Sequence, residues 1–253
     1  MDPICFHLGP KPVYWYGVMM ALAFLAGMTH WRWVGRRTSR DVSLAGDLAF
    51  WLMVGGILGA RIAYVASDWS YFQARPWEII RIDQGGLIYY GGFIGGLVAF
   101  LGVAKHYRLP ALDLADFVVT ALPLGHAFGR IGCFLNGCCG GRSCEPSWIT
   151  GGLAHFPVQL YESAFNLGLY AFLTWFFLKR RGRRLGSVMA LYLLTYPVER
   201  FLIEFLRGDD RMRVGSLDMA QVVSLSLFAA GIVLWNIANR KPADKVESEK
   251  KTI

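Results

Sequence analysis

The sequence predicts an all-α integral membrane protein with seven transmembrane helices, and three observations support this fold class. Hydrophobic residues make up 55% of the 253-residue chain and charged residues only 17%, which is too apolar for a soluble domain of this length. Seven apolar stretches each approach the length of about 20 residues that crosses a hydrocarbon core. Lysines and arginines gather in short clusters between these stretches, so the net charge of +8 does not predict nucleic-acid binding.

The predicted helices follow one another along nearly the whole chain. Residues 1–12 precede the first helix, and Asp2 stands where a secretory signal peptide has basic residues, so no cleaved leader is expected. The third stretch is short and rich in glycine. The seven predicted spans are residues 13–34, 43–66, 87–105, 112–134, 158–178, 185–206 and 217–237.

The distribution of basic residues predicts the orientation of these spans. Sixteen of the 26 lysines and arginines fall on one side, which includes the C-terminal tail, and seven fall on the other. Since the more basic side of a membrane protein is cytoplasmic, the N-terminus is expected outside and the C-terminus inside. We predict one transmembrane domain at residues 1–240, with outer-side loops at about 67–86 and 135–157, and a charged cytoplasmic tail at 241–253.

Three arginines, Arg61, Arg130 and Arg200, lie inside the second, fourth and sixth predicted spans. These spans all run outward and each arginine falls in the later part of its span, so the guanidiniums are expected in the outer half of the bilayer. A single arginine near a span end can snorkel to the headgroups, but three at one depth favour a shared site. Because guanidinium forms forked, charge-assisted hydrogen bonds with phosphate, the sequence predicts an outward-facing phospholipid site.

Carboxyl and amide side chains accompany these arginines. Gln159 and Glu162 open the fifth predicted span, and Glu199 and Glu204 flank Arg200 in the sixth. Such groups inside a span need a partner and often mark a functional site. Arg200 and Glu204 are four residues apart on one helix, so a simple structural pair between them is an equal alternative.

Aromatic and glycine-rich segments at the span ends have ordinary structural explanations. Tyr16 opens the first span and Tyr90 the third, and tyrosines at these places alone fit an interfacial aromatic belt. Residues 55–60 and 91–96 repeat small side chains in the second and third spans. This pattern predicts close packing of two helices.

The cysteines do not predict a metal site. Cys133, Cys138, Cys139 and Cys144 fall at or beyond the outer end of the fourth span, but their spacing lacks the C-x-x-C pairs that are typical of zinc sites. A disulfide that involves Cys144 stays open if the compartment is oxidising. We therefore expect neither a metal nor a cofactor.

In combination, these motifs resemble those of the phosphatidylglycerol–prolipoprotein diacylglyceryl transferase family. The resemblance runs from about Pro12 to Arg207, and the ordered set of motifs is far more specific than any one of them. The matching segments are residues 15–17, 59–62, 85–86 with 90–95, 129–132 with 136–137, 159–162 and 200–207.

The resemblance implies a seven-span enzyme of the bacterial inner membrane whose site faces the outer leaflet, in agreement with the charge pattern. Members of the family transfer the diacylglyceryl group of phosphatidylglycerol to the thiol of the lipobox cysteine in a preprolipoprotein, and they release glycerol phosphate. The implied partners are phosphatidylglycerol, preprolipoprotein signal peptides with a lipobox cysteine, and membrane lipids, without any nucleic acid.

The resemblance also assigns roles to individual residues. Arg130 and Arg200 match the two essential arginines of the family and are expected to bind the headgroup and stabilise the leaving phosphate. Tyr90 takes the third catalytic position. With the other polar groups expected at the same depth, the predicted substrate-binding residues are Tyr16, Arg61, Asn136, Gly141, Gln159, Glu162, Glu204 and Arg207.

The sequence departs from the family pattern at Tyr90, Cys133 and Cys138. Histidine, often proposed as the base, is common at the position of Tyr90, and a common branch has asparagine and glutamate at the positions of the two cysteines. A free thiol has a pKa of about 8.5 and a tyrosine a pKa of about 10. Tyr90 therefore acts as the base only if arginines lower its pKa considerably, and orientation of the lipid by Tyr90 is slightly favoured.

Three other function classes compete with this interpretation. A lipid or anion transporter predicts carboxylates throughout the bilayer depth and an internal repeat, whereas the polar groups here gather on the outward side. An intramembrane protease needs a nucleophile paired with a base, and Ser163 beside Glu162 has no such setting. A lipid-binding protein without transferase activity fits the same residues and is separated from an enzyme only by an activity assay.

Overall fold

The computed structural model describes residues 3–82, 85–147, 150–179, 184–208 and 213–240. These residues are mainly helical, as expected for an all-α protein. The predicted cytoplasmic tail at residues 241–253 lies outside the described residues.

Helices occupy the places of all seven predicted stretches. The fourth stretch is divided in two near Pro123, which lacks a backbone N–H and stands at the start of the second part. The helices are α1 (Trp15–Arg37), α2 (Leu44–Ser67), α3 (Trp69–Ala74), α4 (Tyr89–His106), α5 (Ala111–Val119), α6 (Leu122–Leu135), α7 (Val158–Lys179), α8 (Ser187–Glu204) and α9 (Met219–Arg240), with a 3-10 helix at Pro76–Ile80.

Some of these helices have the length and apolar composition of membrane spans. Among the residues that the structure describes, three helical stretches are long and apolar enough to cross a membrane: Leu44–Ser67, Ala111–Leu135 and Met219–Asn239. Composition alone does not identify α8 as a span, because Glu199, Arg200 and Glu204 all fall within its 18 residues. The chain is thus a mainly helical membrane protein in which one long helix carries a cluster of charges.

Two short hairpins were not predicted. Strand β1 (Ile4–Leu8) pairs antiparallel with β2 (Lys11–Tyr14), and β3 (Arg213–Val214) pairs antiparallel with β4 (Leu217–Asp218). A glycine with positive φ lies in each turn, Gly9 at 61° and Gly215 at 64°, a conformation that glycine adopts without steric cost. The first hairpin leads directly into α1 and the second into α9.

The chain divides into two compact units. The described residues within 1–31 and 115–253 form the large unit, and those within 32–114 form the small unit. In the small unit α2 packs against α4, and a Cβ added at Gly55 would lie 2.6 Å from the carbonyl oxygen of Gly95. The close helix packing predicted from the small residues is therefore confirmed.

In the large unit α7 packs against α6 and α8, and α8 also packs against α9. A fully buried carboxylate, Asp116 on α5, fixes the start of α8. It accepts hydrogen bonds from the backbone N–H groups of Gly186 (2.9 Å), Val188 (3.0 Å) and Met189 (2.8 Å). These are the N–H groups that a helix start leaves without a partner, so Asp116 anchors the helix that bears Arg200.

Candidate active site

Five charged side chains of the large unit form a continuous network of ion pairs. Glu162 Oε2 on α7 lies 3.0 Å from Arg130 Nε on α6 and 3.8 Å from Arg207 Nη1. Arg207 Nε lies 3.9 Å from Glu204 Oε2. The same Glu204 oxygen accepts a 2.5 Å hydrogen bond from Arg200 Nη1. The network thus joins α6, α7 and α8.

Most of this network is removed from water. The side chains of Glu162, Glu204 and Arg207 are only 1–2% exposed, and that of Arg200 is 10% exposed. Burial of a charge costs several kcal/mol unless an opposite charge compensates it. Three guanidiniums and two carboxylates therefore compensate one another in this network, and guanidinium is also the side chain that best binds an anion such as phosphate.

Arg130 is the member of the network that can meet a substrate. Its side chain keeps 24% exposure, and its ion pair with Glu162 uses Nε. Within the described residues, neither Nη1 nor Nη2 of Arg130 makes a hydrogen bond to the protein. Two such terminal nitrogens form the fork that binds a phosphate with paired hydrogen bonds.

Glu199 is a buried carboxyl group that the sequence had placed only as a neighbour of Arg200. Both of its oxygens are buried, and neither has a hydrogen-bond partner in the described part of the chain. Its charged neighbours are Glu162, Arg200 and Arg130. Buried polar groups almost always have a partner, so a carboxyl group without one, beside the arginines, is a candidate to accept or donate a proton.

Tyr16 lies in the first turn of α1, against α6. A Cβ added at Gly132 would lie 3.4 Å from Cδ2 of the Tyr16 ring. Arg130 and the three cysteines at 133, 138 and 139 are the ionisable groups around the phenol. The structure therefore places Tyr16 next to Arg130, and its role in substrate binding stays a prediction.

Asn136 and Gln159 organise the turn that follows α6. The backbone N–H of Asn136 donates to the carbonyl oxygen of Gly132 (2.9 Å), and its side-chain Oδ1 is buried without a hydrogen bond in the described residues. Gln159 Nε2 donates a 2.8 Å hydrogen bond to the carbonyl oxygen of Cys138. Gln159 therefore fixes the backbone of this turn from α7.

Gly141 is required by close packing of the loop after that turn. It forms an isolated β-bridge with Arg207, and a Cβ added at Gly141 would lie 2.8 Å from the carbonyl oxygen of Leu206 and 2.9 Å from Cβ of Phe156. A side chain here would displace the segment that carries Arg207. The loop also lines a cavity of about 460 Å³, together with Gly137, Gly140, Gln159, Gly208 and residues 153–157.

Three cysteines meet beside this turn, which their spacing had not predicted. The Sγ atoms of Cys133, Cys138 and Cys139 all lie within 4.8 Å of one another, and the Cys138 and Cys139 sulfurs are 3.2 Å apart. Burial, together with the hydrogen bond to Cys139, raises the pKa of the Cys138 thiol to about 12. Without a bound cation this thiol is therefore protonated at neutral pH.

Arg61 and Tyr90 belong to the small unit. The guanidinium of Arg61 donates to four backbone carbonyl oxygens: Ile79 at 2.8 Å, Gly85 at 3.0 Å, Gly86 at 3.1 Å, and Glu78. Tyr90 stands in the first turn of α4, is 65% exposed, and packs against Tyr89. Substrate binding by Arg61 and catalysis by Tyr90 stay predictions.

The large unit thus brings together nine of the predicted residues, and the structure adds two features to them. The additions are Glu199 and the three-cysteine cluster, and only the position of Glu199 beside Arg200 offered a signal in the sequence. The predicted residues within the large unit are Tyr16, Arg130, Asn136, Gly141, Gln159, Glu162, Arg200, Glu204 and Arg207.

Known proteins with similar sequences point to one family. Residues 3–237 match the family described as prolipoprotein diacylglyceryl transferase. A phosphatidylglycerol–prolipoprotein diacylglyceryl transferase of Trichormus variabilis is 37% identical over 98% of this chain and 94% of its own length. Proteins of the same name from Pseudoalteromonas translucida and Bordetella parapertussis are 36% and 34% identical, over 97% and 96% of this chain and 96% and 97% of their own lengths.

Proposed function

The chain belongs to the prolipoprotein diacylglyceryl transferase family, and we propose that it transfers the diacylglyceryl group of phosphatidylglycerol to the thiol of a lipobox cysteine in preprolipoproteins. Glycerol phosphate is the second product. The observation that carries the proposal is the buried network of three arginines and two carboxylates, from which Arg130 keeps two terminal nitrogens available.

The arginines suit the charge that develops in this reaction. The thiol sulfur attacks the glyceryl carbon, a C–S bond forms, and the C–O bond to the phosphate breaks, so negative charge grows on a phosphate oxygen. Fixed donors aimed at developing charge lower the barrier, and loss of one such donor costs about 100-fold to 1,000-fold in rate. Arg130 binds the phosphate through its terminal nitrogens, and Arg200 adds positive charge to the leaving group.

The carboxylates of the network position these guanidiniums. Glu162 holds Arg130 at Nε, which leaves the forked end of the guanidinium for the substrate. Glu204 holds Arg200 at a terminal nitrogen, Nη1. Arg207 bridges the two carboxylates at 3.8 and 3.9 Å and so keeps the anions from repelling each other. Glu162, Glu204 and Arg207 are thus positioning residues in this proposal.

The thiol must lose its proton before it attacks, and the large unit offers a candidate acceptor. Glu199 is buried, has no hydrogen bond to either oxygen among the described residues, and lies near Arg130 and Arg200. Tyr90, where other members have histidine, is the alternative acceptor or else orients the lipid.

The partners and location follow from the reaction and from the charge pattern. The substrates are phosphatidylglycerol and preprolipoprotein signal peptides with a lipobox cysteine. All seven long helical stretches span the bacterial inner membrane in this proposal, with the N-terminus outside, the C-terminus in the cytoplasm and the site toward the outer leaflet. Membrane lipids therefore surround the protein and supply one of its substrates directly.

Release of glycerol phosphate from phosphatidylglycerol tests the proposal. The purified protein is incubated with a lipobox peptide, and the matched control is the same peptide with serine in place of cysteine. We expect release with the cysteine peptide only, and a loss of about 100-fold or more in Arg130→Ala. Lipid binding without any peptide-dependent release by the wild type would instead support a lipid-binding or transport protein.

A further inference from the structure

The three-cysteine cluster has the dimensions of a metal site. Zinc bonds to thiolate sulfur at about 2.3 Å in a tetrahedral site, which separates two ligand sulfurs by about 3.8 Å. The sulfurs of Cys138 and Cys139 are 3.2 Å apart, and all three sulfurs lie within 4.8 Å of one another. To bind one ion, the separations between these sulfurs must change by up to about an ångström, which rotation of the cysteine side chains can provide.

The backbone around the cluster is held in place by specific contacts. The Cys138 N–H donates a 3.1 Å hydrogen bond to the carbonyl oxygen of Cys133, and Gln159 Nε2 binds the carbonyl oxygen of Cys138. Cys139 adopts a φ of 64°, a left-handed conformation that is unfavourable for a residue with a side chain. An unfavourable conformation of this kind persists where the surrounding structure enforces it, often at functional sites.

We propose that Cys133, Cys138 and Cys139 bind one thiophilic cation, Zn²⁺, as three thiolates, and that the fourth ligand position accepts the thiol of the lipobox cysteine. Three protein ligands with an open position are typical of catalytic zinc, whereas structural zinc has four. The three cysteines are half-buried, so an ion and a peptide thiol have access. The proposal rests on the transferase function and identifies how its nucleophile is activated.

The chemistry of this step balances without any further reactant. A thiol that coordinates zinc loses its proton, which passes to water. The resulting thiolate then attacks the glyceryl carbon of phosphatidylglycerol, the C–S bond forms, and the C–O bond to phosphate breaks. The neutral thioether has little affinity for the ion and leaves, the phosphate departs with the glycerol, and Zn²⁺ stays on the cluster without change of oxidation state.

The charges around the cluster fit this arrangement. Three thiolates and Zn²⁺ carry a net charge of −1, and the incoming thiolate makes it −2. Arg130 is the cationic neighbour of Cys133 and is also the arginine with terminal nitrogens available for the phosphate. One guanidinium therefore lies near both the site proposed for the nucleophile and the site proposed for the leaving group, which is the proximity that a displacement reaction requires.

Cobalt substitution tests the metal site independently of activity. The full chain, reduced in detergent, is titrated with Co²⁺ and the thiolate-to-cobalt absorption is recorded. We expect one ion per chain. Cys133→Ser, Cys138→Ser and Cys139→Ser should each lower the affinity by more than about 100-fold, because even loss of a group that only orients a ligand costs about 10–100-fold. The matched control Cys144→Ser should leave it unchanged. Absence of the absorption, or equal absorption in the three variants, would overturn the proposal. Exclusive binding of Cu⁺, with zinc excluded, would also overturn it, because a trigonal copper site has no open position.

A second measurement tests the open position and separates this proposal from the transferase itself. The lipobox peptide should change the cobalt spectrum, and its serine variant should not. A chelator should abolish release of glycerol phosphate by the wild type, and Zn²⁺ should restore it. Full activity in metal-free protein would refute the zinc proposal and leave the transferase intact. Arg130→Ala should lose activity but keep the cobalt absorption, and zinc-loaded wild type without activity would refute the transferase instead.

Discussion

Arg61 in the small unit and Arg130 in the large unit lie in almost the same local sequence but in different chemical surroundings. Ala60-Arg61-Ile62 and Gly129-Arg130-Ile131 both place arginine before isoleucine in an apolar helix. Arg61 is 8% exposed and gives its N–H groups to four backbone carbonyls. Arg130 is paired at Nε alone, with one carboxylate, and its side chain is 24% exposed.

The difference separates a guanidinium that holds a loop from one that is available for chemistry. Carbonyl oxygens use up the donors of Arg61 and tie the 3-10 helix and the glycine turn at 85–86 to α2. A carboxylate on the Nε side orients Arg130 and leaves its forked end unused. We infer that Arg61 acts mainly through the fold of the small unit, whereas Arg130 acts on the substrate.

The largest effect on stability should come from Arg61→Ala. The substitution leaves four carbonyl oxygens without their charged donor, and each hydrogen bond to a charged group contributes about 1.5–3 kcal/mol. We expect the free energy of unfolding to fall by about 3 kcal/mol or more, measured by thermal denaturation in detergent. Arg75→Ala, an exposed arginine of the same loop, is the control and should have little effect. Equal stability of Arg61→Ala and wild type would contradict the inference that Arg61 stabilises the fold of the small unit.

Glu162→Gln should have a smaller effect, on the rate of transfer. Gln has the same shape but no charge, so Arg130 and Arg207 lose their shared anion and Arg130 is less firmly oriented. We expect kcat to fall about 10-fold, equivalent to about 1.4 kcal/mol, while the KM for phosphatidylglycerol stays level or falls because positive charge increases. Glu145→Gln, in the exposed loop, is the control. A rise in KM with unchanged kcat would mean that Glu162 contributes to binding and not to orientation.

Arg213→Ala should have the smallest effect of the three. Arg213 is 73% exposed and pairs with Asp218 at 3.2 Å. Exposed ion pairs contribute about 0–1 kcal/mol because water and salt screen them. We expect a change in unfolding free energy below about 1 kcal/mol and unchanged transfer. A larger loss of stability or activity would show that an exposed arginine contributes through its charge even though it is not buried.

The positions of the long helices were predictable because the length of each apolar stretch determines them. The seven apolar stretches gave the positions of the long helices within a few residues, and Gly55 and Gly95 meet as the small-residue pattern predicted. The hairpin of Ile4–Leu8 with Lys11–Tyr14 was missed because its strands are only five and four residues long, too short for a pattern to stand out beside the long apolar stretches. The break near Pro123 was hidden by the continuous apolar character of the fourth stretch.

The site was predictable in its residue types and in the pair of Arg200 with Glu204, which the structure confirms, but not in the pairs between helices. Sequence placed Arg130, Glu162 and Glu204 at similar depth, yet which arginine pairs with which carboxylate depends on how the helices pack. Cysteine spacing argued against a metal, because it cannot show that a tight turn after α6 folds Cys138 and Cys139 back toward Cys133. Spacing rules detect sites built on regular motifs, whereas this cluster lies in a turn with positive φ at Gly137 and Cys139.

The most direct test of the central claim is the single-turnover rate of thioether formation in Arg130→Lys and Arg61→Lys, compared with wild type. Intact-mass spectrometry of the lipobox peptide detects the added diacylglyceryl group, and each rate is normalised to the amount of folded protein. The account predicts that the rate in Arg130→Lys falls by about 100-fold or more, because lysine cannot present a planar fork to phosphate. The rate of Arg61→Lys, per amount of folded protein, should stay within about threefold of the wild-type rate. A normal rate in Arg130→Lys, or a loss confined to Arg61→Lys, would contradict it.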